Sequence, residues 1–375
     1  MSPLTVEVIR DEAAWQALEP EWRELFAVSP QAAPPLTFDW LWVWWEVFGA
    51  VYGGPGELRL FTVRRDGGLV GVLPLYRRRM GGARVLGFLS TGEEECEEIY
   101  PEYMNLLAAP GEEEACLEAL APVVFGSALD WDALTLLLVC GEAPLLPWVQ
   151  RSLAGKVGRL RLVEQPCCQA DLSGGMERYL ERLEPKLRRR ARRYWRALEA
   201  EGVTFEVAKG VDESLAWFEQ LVAMNVARWA DRGEASLFTM PRALEFHRRL
   251  IARLVPQGLA LLSRTVDAGH TVSVMYGFLL GDKYDCYQSG LAPAEGAHLK
   301  SPGTSTHLAL MAELCARGAT CYDFLAGADD YKSWLATDQR RLTALSVVRP
   351  TLGGFTLAAS HGLARVRRRL ASLRG

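Results

Sequence analysis

"HLKSPGTSTHLALMAELCARGATCYDFLAG", residues 298–327, places a polar loop, a helix and a strand in direct succession. Lys300-Ser301-Pro302-Gly303-Thr304-Ser305 forms the loop, and a helical run from about Thr304 to Arg317 follows and stops near Gly318. Thr320 to Leu325 then reads as a strand. The N–H groups at such a helix start lack intrahelical partners, and with the helix dipole they favour an anion. Lys300 adds charge, Gly303 lets a ligand approach the backbone, and Thr304 and Ser305 add hydroxyl donors. An ordinary capped helix with Pro near its start is the competing reading of the same letters.

Working upstream, Leu259–Val266, Thr271–Leu280 and Tyr284–Gly290 are strand-like runs joined by "DAGH" and "GDK" turns, which predicts an antiparallel meander. Residues 203–208 read as a strand, and 212–230 and 241–254 as helices. Before them lies "MERYLERLEPKLRRRARRYWRALEAEG", with apolar positions at helical spacing and Pro185 at the first turn of its second part. Seven of the eleven residues from Lys186 to Arg196 are basic and none is acidic. A solvated face is ordinarily mixed in sign. This helix is either an exposed structural face or an anion-binding surface for phosphates, nucleic acid or an acidic partner protein.

The first 170 residues alternate strands and helices. Leu4–Ile9 is a strand, and Asp11 caps a helix running to about Phe26. "TFDWLWVWWEVFG" sets Leu41, Trp44, Trp45 and Phe48 at helix spacing, a packing face before it is a ligand platform. "ELRLFTVRRDGGLVGVLPLYRRR" is two strands around an Asp-Gly-Gly turn, and Val85–Leu89 a third. Six glutamates between Glu93 and Glu102 form an acidic loop, either solvated or a lip for a cationic acceptor. Residues 112–126 and 145–155 read as helices and Ala133–Val139 as a buried strand.

Composition sets limits on function. A chain of 375 residues calls for two domains, 49% hydrophobic and 23% charged residues describe a globular protein, and a net charge of -4 advertises no global field for nucleic acid or membrane. Eight cysteines without a CxxC pair and five histidines offer no spacing for a metal site, and free thiols fit a reducing cytoplasm. No leader sequence is visible at the N-terminus and no apolar run is long enough for a spanning helix, so a cytoplasmic location is expected.

Residues 172–348 resemble the acetyltransferase domain of CelD-like proteins, a branch of the GNAT superfamily related to the Fem peptidyltransferases. The resemblance rests on "LEPKLRRRARRYWRALEAEG", "NVARWADRG", "YQSG…SPGTS" and "CYDFLAGADDYKSW", and "FDWLWVWWEVFG" resembles the amino-terminal half of the same proteins. It implies an α/β (α+β) fold of two tandem GNAT-like domains, each a mixed, mostly antiparallel sheet flanked by helices. Domain limits of 1–170 (without cofactor) and 171–350 (the acyltransferase) follow. Beyond the resemblance, "SHGLARVRRRLASLRG" carries Arg365, Arg367, Arg368, Arg369 and Arg374 in an amphipathic pattern, which reads as a basic helix at 351–375, either docked on the domain or in contact with an anionic surface or partner. The GNAT pyrophosphate loop corresponds to Lys300–Ser305, with the central Gly kept and the flanks changed, so Lys300, Gly303, Thr304 and Ser305 are the residues expected to hold acyl-CoA, acetyl-CoA foremost, with no metal.

The resemblance also gives a role to the abrupt polarity after Phe324. The acyl thioester would lie where the strand at 320–325 splays from that at 284–290. Asp323, on the face opposite Tyr322 and Phe324, would orient or deprotonate the acceptor, and Tyr331 would protonate the departing thiolate. Lys332, Trp334, Gln288 and Ser289 are the expected contacts of a small-molecule or saccharide acceptor. Lys332 pairing with Asp329 or Asp330, and Trp334 in the core, are the structural alternatives. The expected activity is acyl transfer from acyl-CoA to an amine or hydroxyl. The alternatives are a Fem-like aminoacyl transfer from tRNA, with the basic helix 186–196 facing RNA, and a binding protein of the same fold without turnover.

Overall fold

A computed structural model describes residues 2–126, 131–154, 159–292, 298–327 and 330–357. The tail arginines, Arg365 to Arg374, and Asp329 lie outside them. The chain forms two compact units, one of Met1–Glu93, Ile99–Glu164 and the chain from Leu342 onward, the other of Glu94–Glu98 and Gln165–Arg341.

The first unit contains β1 (Leu4–Ile9), α1 (Glu12–Ala17), α2 (Glu19–Val28), α3 (Phe38–Phe48), β2 (Leu58–Arg65), β3 (Gly68–Met80), β4 (Ala83–Phe88), β5 (Leu107–Ala108), α4 (Glu113–Val124), β6 (Ala133–Cys140) and α5 (Leu145–Leu153). Asp11 caps α1 by accepting from the Ala14 N–H at 2.8 Å. The single helix expected from Asp11 to Phe26 is two, because Pro20 stands in the first turn of α2 and the chain breaks at Leu18. The tryptophans of α3 are core: Trp40 and Trp44 are fully buried and Trp42 meets Trp15 at 5.0 Å. Strand order is β1-β2-β3-β4-β6, antiparallel except for a short parallel pairing of Val85–Gly87 with Ala133–Thr135.

The second unit uses β7 (Arg159–Asp171) from Gln165 onward, α6 (Gly175–Arg182), α7 (Pro185–Arg196), β8 (Val203–Val207), α8 (Val211–Ala230), α9 (Pro241–Leu254), β9 (Ala260–Asp267), β10 (His270–Leu280), β11 (Lys283–Leu291), α10 (Pro302–Ala316), β12 (Cys321–Ala326) and α11 (Asp330–Leu335). Its strand order is β7-β12-β11-β10-β9-β8, and β11 with β12 is the parallel pair. Thus each unit runs through an antiparallel meander and then a helical crossover into a parallel strand, and the plan occurs twice. The final strand β13 (Asp338–Val348) pairs antiparallel with β6 of the first unit from Leu342 to Val348.

Adjacent residues of β9 tell the two faces of the second sheet apart. Arg264 stacks its guanidinium on Trp217 of α8 at 4.5 Å, while Thr265 shares a 2.7 Å hydrogen bond with Thr306 of α10. Neighbours along a strand point to opposite faces, so α8 and α10 cover opposite sides of the sheet. The α8 side packs very closely: a Cβ on Gly290 would lie 2.7 Å from the Leu221 backbone.

On the α8 side His247 of α9 is fully buried among Phe218, Phe238, Phe246, Tyr276 and Tyr287, and neither ring nitrogen has a hydrogen-bond partner. Burial pushes its pKa down to about 3. Between there and the ordinary histidine range the unfolded chain binds the proton and the folded chain does not, so this contribution to stability is lost as the pH falls from 6.5. His247→Phe is expected to remove about 2 kcal/mol of the stability loss between pH 6.5 and pH 5. Denaturant unfolding at the two pH values checks it; an unchanged pH slope would show that the ring is not the group responsible.

Candidate functional site

Strands β11 and β12 pair over three rungs only, Lys283 with Cys321 to Asp285 with Asp323, and then fork. Two bends cause the fork. On β11, Tyr276 faces Gln288 and Gly277 faces Cys286, so Tyr287 is an extra, bulged residue that bends the strand. On β12, Leu325 has a left-handed φ of 60°, and the register with β7 breaks between Asp323 and Ala326. A leucine is strained in that region and needs support. Asp323 supplies it, because its Oδ1 accepts from the Leu325 N–H at 2.8 Å.

Below the fork lies a buried ionic cluster. Lys283 Nζ is 2.7 Å from Asp285 Oδ1 and 2.9 Å from Asp323 Oδ2. Gln169 Nε2 donates to Asp323 Oδ2 at 2.7 Å and the Cys167 thiol donates to Oδ1 at 3.2 Å. Burial opposes the lysine charge, but the two carboxylates outweigh it and raise its pKa. Burial holds the Asp285 pKa above the usual carboxylate range against the pull of Lys283, with the Asp323 charge adding to the rise.

Above the fork opens a cleft of about 570 Å³. Met275, Cys286, Phe324 and His307 line it from the α10 side of the sheet, Gln288 and Ser289 from the end of β11, and Tyr331, Lys332 and Trp334 from α11. From α8 come Asn225, Arg228, Trp229 and Arg232. Because α8 and α10 cover opposite faces, the cleft runs through the gap in the sheet. Its described lining carries four cations, Arg228, Arg232, Lys300 and Lys332, and no carboxylate.

At the start of α10, Ser301 makes no side-chain bond to the helix N–H groups; its hydroxyl donates instead to Thr304 Oγ1 at 3.0 Å. Pro302 has no N–H, and the helical bonding begins with the Ser305 N–H donating to Ser301 O. The N–H groups of Gly303 and Thr304 therefore stand at the cleft without a helical acceptor. A Cβ on Gly303 would meet the Leu291 methyls at 3.1 and 3.2 Å.

His307, one turn on, lies beside Tyr322 with Nδ1 2.7 Å from its hydroxyl, and its ring stacks on Tyr331 at 5.1 Å. Burial first, and then the Lys332 charge, push its pKa down to about 3, so the imidazole is neutral at physiological pH. Lys332 is buried and its ammonium donates to the Ala326 carbonyl at 2.7 Å. Trp334 carries the Arg190 guanidinium of α7 at 3.5 Å from its ring centre, which brings the basic helix to the rim. Burial raises the Cys286 pKa to about 11, so it stays a thiol.

Eight of the ten residues expected from the sequence thus meet in one cleft: Gln288, Ser289, Lys300, Gly303, Thr304, Tyr331, Lys332 and Trp334. Asp323 and Ser305 are turned away, Asp323 into the ionic cluster and Ser305 toward α7, where its hydroxyl donates to the Tyr194 carbonyl at 3.3 Å. His307 was not singled out from the sequence, and the α8 group entered only within "NVARWADRG", without a role. The group had a signal, since 225, 228, 229 and 232 fall on one helix face.

The first unit repeats the fork and fills it. There β4 and β6 also pair over three rungs, and Leu138 of β6 takes a left-handed φ of 56°, as Leu325 does in β12. Met104, fully buried, bridges Val139 in parallel and donates its N–H to Leu138 O at 3.2 Å, so the chain itself occupies the gap. The corresponding helix, α4, starts with Glu112, Glu113 and Glu114 where α10 starts with Lys300 to Thr304.

Residues 185–333 match the family model of the acetyltransferase (GNAT) domain. No curated protein matches the chain. Among solved structures, that of FemX is 14% identical with a TM-score of 0.59, covering 89% of this chain and 96% of that one. A conserved protein of unknown function from Bacteroides thetaiotaomicron VPI-5482 is 10% identical with a TM-score of 0.54, covering 92% of this chain and all of that one. The likeness at such identities is one of fold. The second unit has the fold of GNAT-type acyltransferases, which use an acyl donor and an acceptor.

Proposed function

We propose that the second unit transfers an acyl group, acetyl foremost, from acyl-CoA to an amine or hydroxyl of a small molecule or cell-envelope saccharide, as a CelD-like enzyme. The observation that carries this is a cleft through a forked parallel pair, with four cations and no carboxylate among its described lining residues, flanked by a bare helix start. Donor phosphates fit Lys300 and the N–H groups of Gly303 and Thr304. The saccharide acceptor follows from the family resemblance alone.

The donor supplies a thioester, which is already activated, so the protein's share is positioning and proton handling. Gln288 and Ser289 hold the acceptor at the fork. The acceptor nitrogen or oxygen bonds to the acyl carbon, its proton leaves through water, and the carbon–sulfur bond breaks. Tyr331, held by its stack on His307, returns a proton to sulfur. Backbone N–H groups of β11 that the fork releases from β12 stabilise charge on the acyl oxygen. Lys332 and Trp334 wall the pocket. In this reading Asp323 is a positioning residue that keeps β12 bent. The first unit binds no donor: Met104 occupies its gap and three glutamates at α4 repel phosphate.

Calorimetric titration of acetyl-CoA and longer acyl-CoAs into the full chain tests the proposal. A dissociation constant between about 1 μM and 1 mM is expected, the range of ordinary substrate constants. No heat with any acyl-CoA, in folded protein at low salt, would overturn it. The basic helix α7, joined to the rim by Arg190 on Trp334, favours aminoacyl-tRNA as the second donor to try. Its mark would be RNA binding that weakens steeply with salt.

A further inference from the structure

Cations line the cleft on both faces of the sheet, and each group marks one mouth of it. One is the α10 start with Lys300. The other is the end of α8, where Arg228 is half-buried and Arg232 exposed, with its guanidinium 5.4 Å from the Trp229 ring centre. Asn225 fixes this mouth in place: its Nδ2 donates to Ser289 O at 3.3 Å and its Oδ1 accepts from the Ser236 hydroxyl at 2.7 Å. A polar residue is thus spent on locking α8 against the end of β11, the strand that borders the reaction centre.

Other arginines near this sheet are neutralised, Arg248 by Glu219 and Arg264 by Glu206. Arg228 and Arg232 pair with no carboxylate among the described residues, although they sit four apart, where like charges repel. Two such guanidiniums on one helical turn can hold a single oxyanion between them, and the Trp229 face beside them suits the apolar face of a sugar or ring.

We infer that the acceptor carries an oxyanion, a carboxylate or a phosphate, which Arg228 and Arg232 receive at the α8 mouth while the donor occupies the α10 mouth. This rests on the acyl-CoA reading of the site. It makes the substrate class an anionic amine or alcohol with its nucleophile a few bonds from the charge.

The test compares matched acceptors in thiol-release assays with acetyl-CoA: glucosamine against glucosamine 6-phosphate for the phosphate source, amino acids against their amides for the carboxylate source. The same assays and acetyl-CoA calorimetry are run on Arg228→Gln/Arg232→Gln. The expected result is kcat/KM about 10- to 100-fold higher for one anionic series than for its neutral match, carried by KM. The double variant should lose most of that preference while its acetyl-CoA affinity stays within threefold. Two outcomes overturn the inference alone: equal use of anionic and neutral acceptors by the wild type, or a tenfold loss of acetyl-CoA affinity in the variant, which would assign the arginines to the donor. Absence of acetyl-CoA binding by the wild type would instead remove the acyl-CoA reading and this inference with it.

Discussion

Lys283→Met is expected to lower stability by about 3–5 kcal/mol at pH 7, the usual cost of removing one member of a buried ion cluster. Asp285 and Asp323 are almost wholly buried and lie side by side on the last rung before the fork. Without the ammonium two adjacent carboxylates must either repel or take up protons. The described contacts place this one ammonium on both carboxylates, so its removal takes away the charge they share. Acid should therefore rescue the variant, and its deficit at pH 4.5 should be much smaller than at pH 8.

The sign for the wild-type cluster follows from Asp285. Its pKa is raised on folding, so above the ordinary carboxylate range the folded state binds more protons than the unfolded one, and stability falls as the pH rises through that window. Asp285→Asn keeps one lysine for one aspartate and removes this loss, so it should be at least as stable as the wild type at pH 8. His247 and His307 act in the opposite sense, and the paired variants are needed to separate the two trends. Denaturant unfolding across pH checks all of this; a Lys283→Met deficit that is equal at both pH values would show that charge is not what the lysine contributes.

The sequence was most legible where structure is local. The meander expected over 259–290 is found at Ala260–Asp267, His270–Leu280 and Lys283–Leu291, and the helix after the "KSPGTS" loop at Pro302–Ala316. Turn residues and alternation are sufficient for such elements, since each signal lies within a few residues of its consequence. Strands β7 and β13 gave no such signal. β7 carries Pro166 and polar residues along its length, and β13 begins with Asp338, Gln339, Arg340 and Arg341; both are strands because distant partners accept them.

The site shows the same division. That Asp323 and Phe324 face opposite ways is readable from alternation, and Phe324 does line the cleft. What Asp323 does instead depends on Lys283, forty residues away, and on a left-handed Leu325, neither of which leaves a local mark. Met104 is a further case: nothing in "EYMNLL" says that this methionine fills a gap beside β6. Contacts of that kind come from register, which a single sequence does not state.

Gly303→Trp is expected to abolish acyl-CoA binding, a loss of at least about 100-fold in affinity on the scale of several charge-assisted hydrogen bonds. The position is sensitive for two reasons. Its N–H is one of two at the α10 start without a helical acceptor, and the helix field is strongest there. A side chain there also meets Leu291, itself part of the cleft lining, whose methyls stand 3.1 and 3.2 Å from the Cβ position. An indole must then push Leu291 aside or occupy the space meant for the phosphates. Gly303→Ala serves as the graded control, because a methyl at 3.1 to 3.2 Å from the ends of a flexible leucine can be accommodated by a shift of a few tenths of an ångström. It should keep the fold and lose little affinity. Calorimetry with acetyl-CoA and a thermal unfolding control on both variants give the answer: a folded Gly303→Trp protein that binds acetyl-CoA as tightly as the wild type would move the donor away from the α10 start. In that event the remaining cations of the cleft, Arg228 and Arg232 on α8 and Lys332 on α11, would become the place to look for it.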